Sequence, residues 1–505
     1  MSDQVLVGIL DTTLRDGEQT KGVSFSLSEK LSIAKLLLKE AKVDRLEVAS
    51  ARVSEGELKN VQAICEWAES EGLLGKIEVL GFVDNGKSID WVLQSGCKTI
   101  NLLAKGSLNH CVNQLKKTPE EHFADVEKNI ESAISKGLRV NVYLEDWSSG
   151  MRDSPKYVFD FLAMLSKTKI SRVMVTDTLG VLEPFSAKEF LLQARKHFPI
   201  ERIDFHAHND YGLAVANSLA AVFAGGVRCV HCTVNGLGER AGNAALAEVV
   251  ALIKDKTEFS CLVDEKSLVN ASRLVEQASG KRVPGNKPIV GSDVFTQTAG
   301  VHADGDAKGK LYVSKLTPER FGRKTEYALG KLSGKSSLEY NLKSLEIELS
   351  PEQKKLVLEE IIRLGDKKKA ITPEDLPFII SDILKTPIEK KFEIFKCRIV
   401  SEFGQRPNAS VGLRINGKEF IEESEGDGGY DAFMKALEKI SEKAGFLVPE
   451  LLDYEVRIPP GGRTDALVET TINWNLKGKA FATIGVDSDQ LIAAVKATER
   501  MLNAL

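Results

Sequence analysis

VLVGILDTTLRDGEQTKGVSFSLSEKLSIAKLLLKEAKVDRLEVAS, residues 5–50, holds one full repeat of the architecture. The apolar, β-branched run Val5–Leu10 reads as a strand and gives way at once to the polar segment Asp11–Gln19. Ser28 can then cap a helix in which Leu31, Ile33, Ala34, Leu37 and Leu38 form one apolar stripe. A second strand candidate, Arg45–Ala49, follows. The alternation continues to about residue 255, with strand candidates at Ile77–Phe82, Thr99–Leu103, Val140–Leu144, Val173–Thr176, Ile203–His206 and Cys229–Val234. Eight βα units can close a barrel, and polar residues cluster just after nearly every strand, the end where barrels keep their chemistry. The pattern therefore predicts an α/β chain opening with a (β/α)8, TIM-type barrel over residues 1–265, not a doubly wound open sheet.

Beyond Glu265 the alternation stops, and KRVPGNKP (281–288) reads as a turn-rich connector into a mostly helical linker region, residues 266–389. Its basic stretch, with Lys310, Lys315, Arg320, Arg323, Lys324, Lys331 and Lys335, is either a solvated face or a phosphate-binding surface. Residues 390–505 change texture again. Strand candidates Phe392–Val400, Ala409–Ile415, Val456–Ile458, Asp465–Trp474 and Ala480–Val486, with helices at Tyr430–Ala444 and Gln490–Leu502, resemble two degenerate βββα units. The Gly-rich turns GDGG (426–429) and PPGG (459–462) suit an appended α+β effector-binding domain.

The 505 residues are 43% hydrophobic and 28% charged, with a formal net charge of −4. That is a globular composition, and without a like-charge block it argues against a nucleic-acid partner. No apolar run approaches a membrane span, the N-terminus lacks a basic region, and the seven cysteines follow no framework spacing. A soluble protein of the reducing cytoplasm is expected.

Arg15 and Asp16 follow the first strand, where a guanidinium beside a carboxylate can hold an anionic substrate or form a plain surface ion pair. In HAHND (206–210), His206 and His208 alternate on a strand and so point the same way. With Asp16 they make a two-histidine, one-carboxylate set that leaves metal positions open. NGLGERAGN (235–243) fails as a dinucleotide fingerprint, because three residues separate Gly238 from Gly242. Asn235 and Asn243 there can bring a neutral oxygen to the metal or orient its ligands. Cys229 and Cys232 read as barrel packing. Glu145 after strand five is a candidate general base, Thr178 after strand six a candidate carboxylate donor, and Glu47 a buried partner that holds Arg15.

DTTLRDGEQ, Glu47, HAHND and NGLGERAGN together resemble the DRE-TIM metallolyases. GVHADG (300–305), LGKLSGKSSL (329–338) and GGRTDALVET (461–470) are similar, within that group, to the 2-isopropylmalate, homocitrate and citramalate synthases, most of all citramalate synthase. The resemblance implies an acyltransferase that condenses acetyl-CoA with a 2-oxo acid on a divalent cation, Zn, Mn or Mg, and then hydrolyses the thioester. By position it implies Asp16, His206 and His208 as metal ligands, with Asn243 a weaker fourth. Arg15 and Thr178 would hold the oxo acid, Glu145 would remove the acetyl methyl proton, and His302, Asp304 and Tyr312 would complete the site. Leu80, Leu103 and Tyr143 would wall the side-chain pocket, and so tight an apolar wall suits pyruvate; 2-oxoisovalerate, and hence 2-isopropylmalate synthase, is the alternative. The C-terminal domain implies a homodimer inhibited by isoleucine, with the effector near Gly426, Tyr430, Gly461, Thr464 and Asp465. A catalytically inactive metal-bound amino-acid sensor is a reading from a different class.

Overall fold

Eight parallel strands close in sequence order: β1 (Gly8–Asp11), β2 (Arg45–Ser50), β3 (Ile77–Phe82), β4 (Thr99–Lys105), β5 (Arg139–Glu145), β6 (Arg172–Asp177), β7 (Ile203–Ala207) and β8 (Cys229–Cys232). The computed structural model describes residues 5–224, 226–298, 305, 309, 311–312, 314–345, 347–366, 371, 376–384, 391–457 and 468–504. Closure is direct, with β1 pairing with β8 from Gly8 opposite Cys229 to Asp11 opposite Cys232. Contacts divide the chain into two compact units, Met1–Phe295 with Val313–Thr325, and Thr296–Tyr312 with Glu326–Leu505.

In the first unit the outward strand residues and the helical stripes share one core that includes Ile33, Ala34, Leu37 and Leu38. Ser26, not Ser28, caps the first helix, Leu27–Lys35. The reason is spacing: Ser26 accepts from the Glu29 amide, and the Glu29 carboxylate accepts from the Ser26 amide at 2.7 Å, a reciprocal pair that Ser28 has no acidic partner to form. Arg320, from the basic stretch, is an internal tie in this unit, paired with Asp255 at 2.8 Å and Glu265 at 2.6 Å. Arg323 donates to the Gly291 carbonyl at 2.5 Å. These two guanidiniums are committed to protein acceptors, which removes them from a phosphate surface.

The second unit begins with a short parallel pair, β9 (Thr296–Gln297) and β10 (Glu326–Tyr327). Helices Lys335–Ser344, Pro351–Asp366 and Leu376–Leu384 then pack around Leu338, Val357, Ile361 and Leu376. Two antiparallel three-stranded sheets follow: β11 (Phe392–Val400), β12 (Asn408–Ile415) and β13 (Lys418–Glu425), then β14 (Glu450–Arg457), β15 (Val468–Leu476) and β16 (Lys479–Asp487). Each sheet is followed by one helix, Gly429–Ala444 or Gln490–Asn503, and both halves share a core containing Phe433, Leu437, Trp474 and Met501. The βββα repeat is therefore complete. The expected strands omit β13, KEFIEESE, whose outward positions apart from Ile421 are charged and whose inner ones, Phe420, Glu422 and Ser424, are mostly polar. Among the described residues no helix is long and apolar enough to cross a membrane.

Candidate active site at the barrel mouth

The loop after β1 is fixed from within. Asp11 accepts from the Thr13 amide at 2.8 Å, Thr13 accepts from Val234 of the loop after β8 at 2.8 Å, and Glu18 takes the fully buried Lys30 ammonium at 2.8 Å. Thr20 accepts from Gly238 N at 2.8 Å and donates to Gly238 O at 3.1 Å, which clasps DTTLRDGEQ to NGLGERAGN. Arg240 binds Asp210 through two nitrogens at 2.8 and 3.0 Å and the Thr178 carbonyl at 2.6 Å. It thus joins the loops after β6, β7 and β8. The sequence reading passed over Arg240 and Asp210, whose signal was a basic and an acidic residue each lying inside a motif already singled out.

Asp16, His206 and His208, all buried, bring one ligand atom each within 4.8 Å of one another. Both imidazoles turn Nε2 toward Asp16 Oδ2, at 3.4 and 3.8 Å. Burial alone would raise the Asp16 pKa, but Arg15 first, then His206, holds it well below the usual carboxylate range. His208 is pushed down to about 4, chiefly by desolvation and then by His206, which favours the neutral ring with one nitrogen lone pair to offer. Asp16 Oδ1 and Asn243 Oδ1 are buried and lack a hydrogen-bond partner, while Asn243 Nδ2 donates to Leu237 O at 3.0 Å. At Gly238 a Cβ would come within 2.1 Å of Asn243 Nδ2 and 3.1 Å of Asp16 Oδ1, so only glycine leaves this corner open. Buried, partnerless oxygens beside two imidazoles are costly unless something binds them, and the donor set suits a divalent cation. Asn235 does not join this group; its amide exchanges hydrogen bonds with Ser272, at 2.9 and 2.5 Å, which draws it toward helix Leu268–Ser279.

Arg15 joins Asp16 at 2.9 Å and Glu47 at 2.5 Å, and is only 9% exposed, so this is no surface pair. Beneath it runs a polar layer through the barrel axis. Asn101 donates to Glu47 at 2.7 Å and to Glu78 at 3.0 Å, Arg45 reaches Glu78 at 3.0 Å, and Asp204 takes Arg45 and Arg172. Apart from Glu47, these residues were missed, although the sequence held a signal. Glu47, Glu78, Asn101, Asn141 and Asp204 each stand between two apolar residues of a strand, the mark of an inward position.

Leu80, Tyr143 and the partly buried Leu103 pack with Leu10, Met174 and Cys229 in a small cluster inside the barrel. The Tyr143 hydroxyl lies 3.4 Å from Arg15, 3.3 Å from Glu47 and 3.2 Å from His231. Cys229 faces this interior and Cys232 the outer core, both as free thiols. Glu145, at the end of β5, is engaged by the Lys105 ammonium, a partner the sequence reading did not foresee. Thr178 accepts from the Asp146 amide at 2.8 Å and meets Thr176 at 2.9 Å. Tyr312 belongs to the second unit and is about half exposed. In the C-terminal unit Tyr430 pairs with Thr498 at 2.7 Å and packs on Phe433 and Tyr454, and Gly426 lies against the start of the following helix. His302, Asp304, Gly461, Thr464 and Asp465 lie outside the described residues.

Residues 6–275 match the HMGL-like family, residues 289–369 the homocitrate synthase post-HMGL domain-like family, and residues 370–505 the LeuA allosteric (dimerisation) domain. An (R)-citramalate synthase of Methanocaldococcus jannaschii is 35% identical over 99% of this chain and 100% of its own length. A 2-isopropylmalate synthase of Acidovorax ebreus is 32% identical over 100% of this chain and 98% of its own, and one of Polynucleobacter asymbioticus 33% identical over 100% and 97%. With the closed barrel and three consecutive matched regions, this full-length similarity means that the chain belongs to the HMGL-like family, in its branch of citramalate and 2-isopropylmalate synthases.

Proposed function

We propose that the protein is a citramalate synthase, joining the methyl carbon of acetyl-CoA to the keto carbon of pyruvate and hydrolysing the thioester to citramalate and CoA. The observation that carries this reading is the tight apolar cluster of Leu80, Leu103 and Tyr143, with the Tyr143 hydroxyl at Arg15 and Asp16 meeting His206 and His208. Those three residues, with Asn243 as a fourth candidate, would hold a divalent cation, which when bound supplies Lewis-acid polarisation of the keto group. Arg15, braced by Glu47, is aimed to bind the oxo-acid anion and to stabilise the alkoxide that forms at the attacked carbon. Thr178 would take the substrate carboxylate. Glu145 would accept the methyl proton once the arriving substrates draw Lys105 aside, with His302, Asp304 and Tyr312 completing the site. The 2-isopropylmalate synthase reading is favoured by the relatives at 32–33% identity, but its branched substrate needs room where Tyr143 and Leu80 are packed.

The match to an allosteric (dimerisation) domain supports a homodimer regulated by an end product, and for a citramalate route that effector is isoleucine, bound near Tyr430 and the Gly426 turn. The test is CoA release from acetyl-CoA with pyruvate, 2-oxobutyrate or 2-oxoisovalerate. The highest kcat/KM is expected for pyruvate. A preference for 2-oxoisovalerate would transfer the assignment to 2-isopropylmalate synthase, and no CoA release with any of them would leave the sensor.

A further inference from the structure

A second group with metal-ligating chemistry, Asp204, Cys229 and His231, lies buried deeper in the barrel. A cation already fills it. The Arg45 guanidinium pairs with Asp204 and lies 2.9 Å from Cys229 Sγ, and Arg172 takes the other Asp204 oxygen. What remains unexplained is His231, on β8, whose Nε2 lies 3.4 Å from Asp204 Oδ2 and whose Nδ1 lies 3.2 Å from the Tyr143 hydroxyl.

We propose that His231 is a positioning residue that locks Tyr143 in place and thereby sets the size limit of the oxo-acid pocket. The inference rests on the pocket reading above. Asp204, with a guanidinium on each oxygen, is a carboxylate and can only accept, so Nε2 of His231 carries the proton. Nδ1 is then an acceptor, and the one phenolic proton of Tyr143 can go to it. Without it, that proton has Glu47 Oε2 at 3.3 Å, on β2, as its only other acceptor among the described contacts. The two rings also meet edge to face, with centroids 5.6 Å apart. Tyr143 is thus held by His231 Nδ1, which takes its proton, and by Arg15, which donates to the hydroxyl at 3.4 Å. A ring pinned at two points makes a wall that a longer substrate cannot push aside.

Asparagine can replace the Nδ1 edge of the imidazole and glutamine the Nε2 edge. His231→Gln should therefore lower the kcat/KM ratio of pyruvate to 2-oxobutyrate by about tenfold, the scale of one methylene's fit. Most of that loss should come from a higher KM for pyruvate. His231→Asn should keep the ratio within about threefold of the parent, and in a Tyr143→Phe background His231→Gln should change it less than about twofold, as a shared contact requires. Mn2+ affinity, measured by calorimetry on the same variants, should stay within about twofold; if it falls in step with selectivity, His231 acts through His206 and the proposal is wrong. A parent enzyme that does not discriminate between the two oxo acids refutes the pocket reading itself. A discriminating parent whose His231→Gln variant discriminates equally refutes the positioning role alone.

Discussion

Replacing Glu47 by glutamine keeps the shape of the side chain and removes its charge from the centre of the barrel. Both carboxylate oxygens are in use: Oε2 accepts from Arg15 at 2.5 Å and Oε1 from Asn101 at 2.7 Å. An amide has one acceptor oxygen, so its NH2 must face one of these donors, with Glu47 fully buried and Arg15 9% exposed. Breaking one side of a buried pair costs about 3–5 kcal/mol. Because Arg15 keeps Asp16 at 2.9 Å, the lower end, about 3 kcal/mol, is expected. At about 2–4 °C per kcal/mol for a domain of this size, Tm should fall by about 6–12 °C in metal-free buffer, followed by far-UV circular dichroism. The same loss of its anchor leaves Arg15 to lean on Asp16 and compete with a divalent cation, so Mn2+ should bind about tenfold more weakly by calorimetry, the scale of an outer-shell substitution. A Tm within about 2 °C of the parent, together with unchanged Mn2+ affinity, would refute the reasoning, since under about 1 kcal/mol is the worth of an exposed pair.

Other expectations are as direct. Glu145→Gln should slow isotope exchange into the acetyl methyl of acetyl-CoA by about 100-fold or more, whereas Lys105→Met should retain exchange because it leaves the carboxylate in place. His122, buried with its Nε2 accepting from the Lys105 amide at 3.1 Å, is pushed down to about 4 by desolvation and then by Lys117. Its ordinary value is about 6.5, so between about pH 6.5 and 4 the unfolded chain binds the extra proton and stability falls with acid, by about 1.4 kcal/mol per pH unit. Denaturant titrations across that range should show the stability gap between the parent and His122→Gln narrowing by that slope as pH falls; a constant gap would contradict it. Gly485→Ala puts a Cβ 1.9 Å from Ala493 O and 2.6 Å from Ala497 N, so β16 and helix Gln490–Asn503 must separate. Overpacking of this kind should cost about 3 kcal/mol, and near-UV circular dichroism, sensitive to the buried Trp474, should report the loss in the C-terminal unit.

What the sequence made legible was whatever follows a period or sits in a motif. The eight barrel strands carry β-branched runs bounded by polar loops, and their positions could be read to within a few residues. His206 on β7 and His208, one residue past its end, are two apart in extended chain and so share a face. Contacts across the barrel are another matter, because they join residues far apart in the chain through inward positions whose register no single strand reveals. Lys105 and Glu145, opposite each other on β4 and β5, are such a case. So is Asn235, which is drawn to Ser272 and does not join the Asp16–His206–His208 group. β13 went unread for a different reason: its Glu419, Glu423 and Glu425 face water together with Ile421, and Phe420 is the one apolar residue on the inner face, too little to mark an alternation.

The polar column along the barrel axis also bears on how such a barrel can be assembled. Its members come from both halves of the barrel: Arg15, Arg45, Glu47, Glu78 and Asn101 from β1–β4 and their loops, Tyr143, Arg172, Asp204 and His231 from β5–β8. A fragment ending after β4 would keep Arg45 on Glu78 but lose Asp204, and the complementary fragment would hold Asp204 with Arg172 and His231 but without Arg45. Neither half could dry its interior without stranding charge, so apolar collapse of a half-barrel is opposed until the other half arrives. The column therefore couples ring closure to the docking of two half-barrels, and inheritance of one half from a foreign ancestor would succeed only if the donor brought matching charges at the same layer.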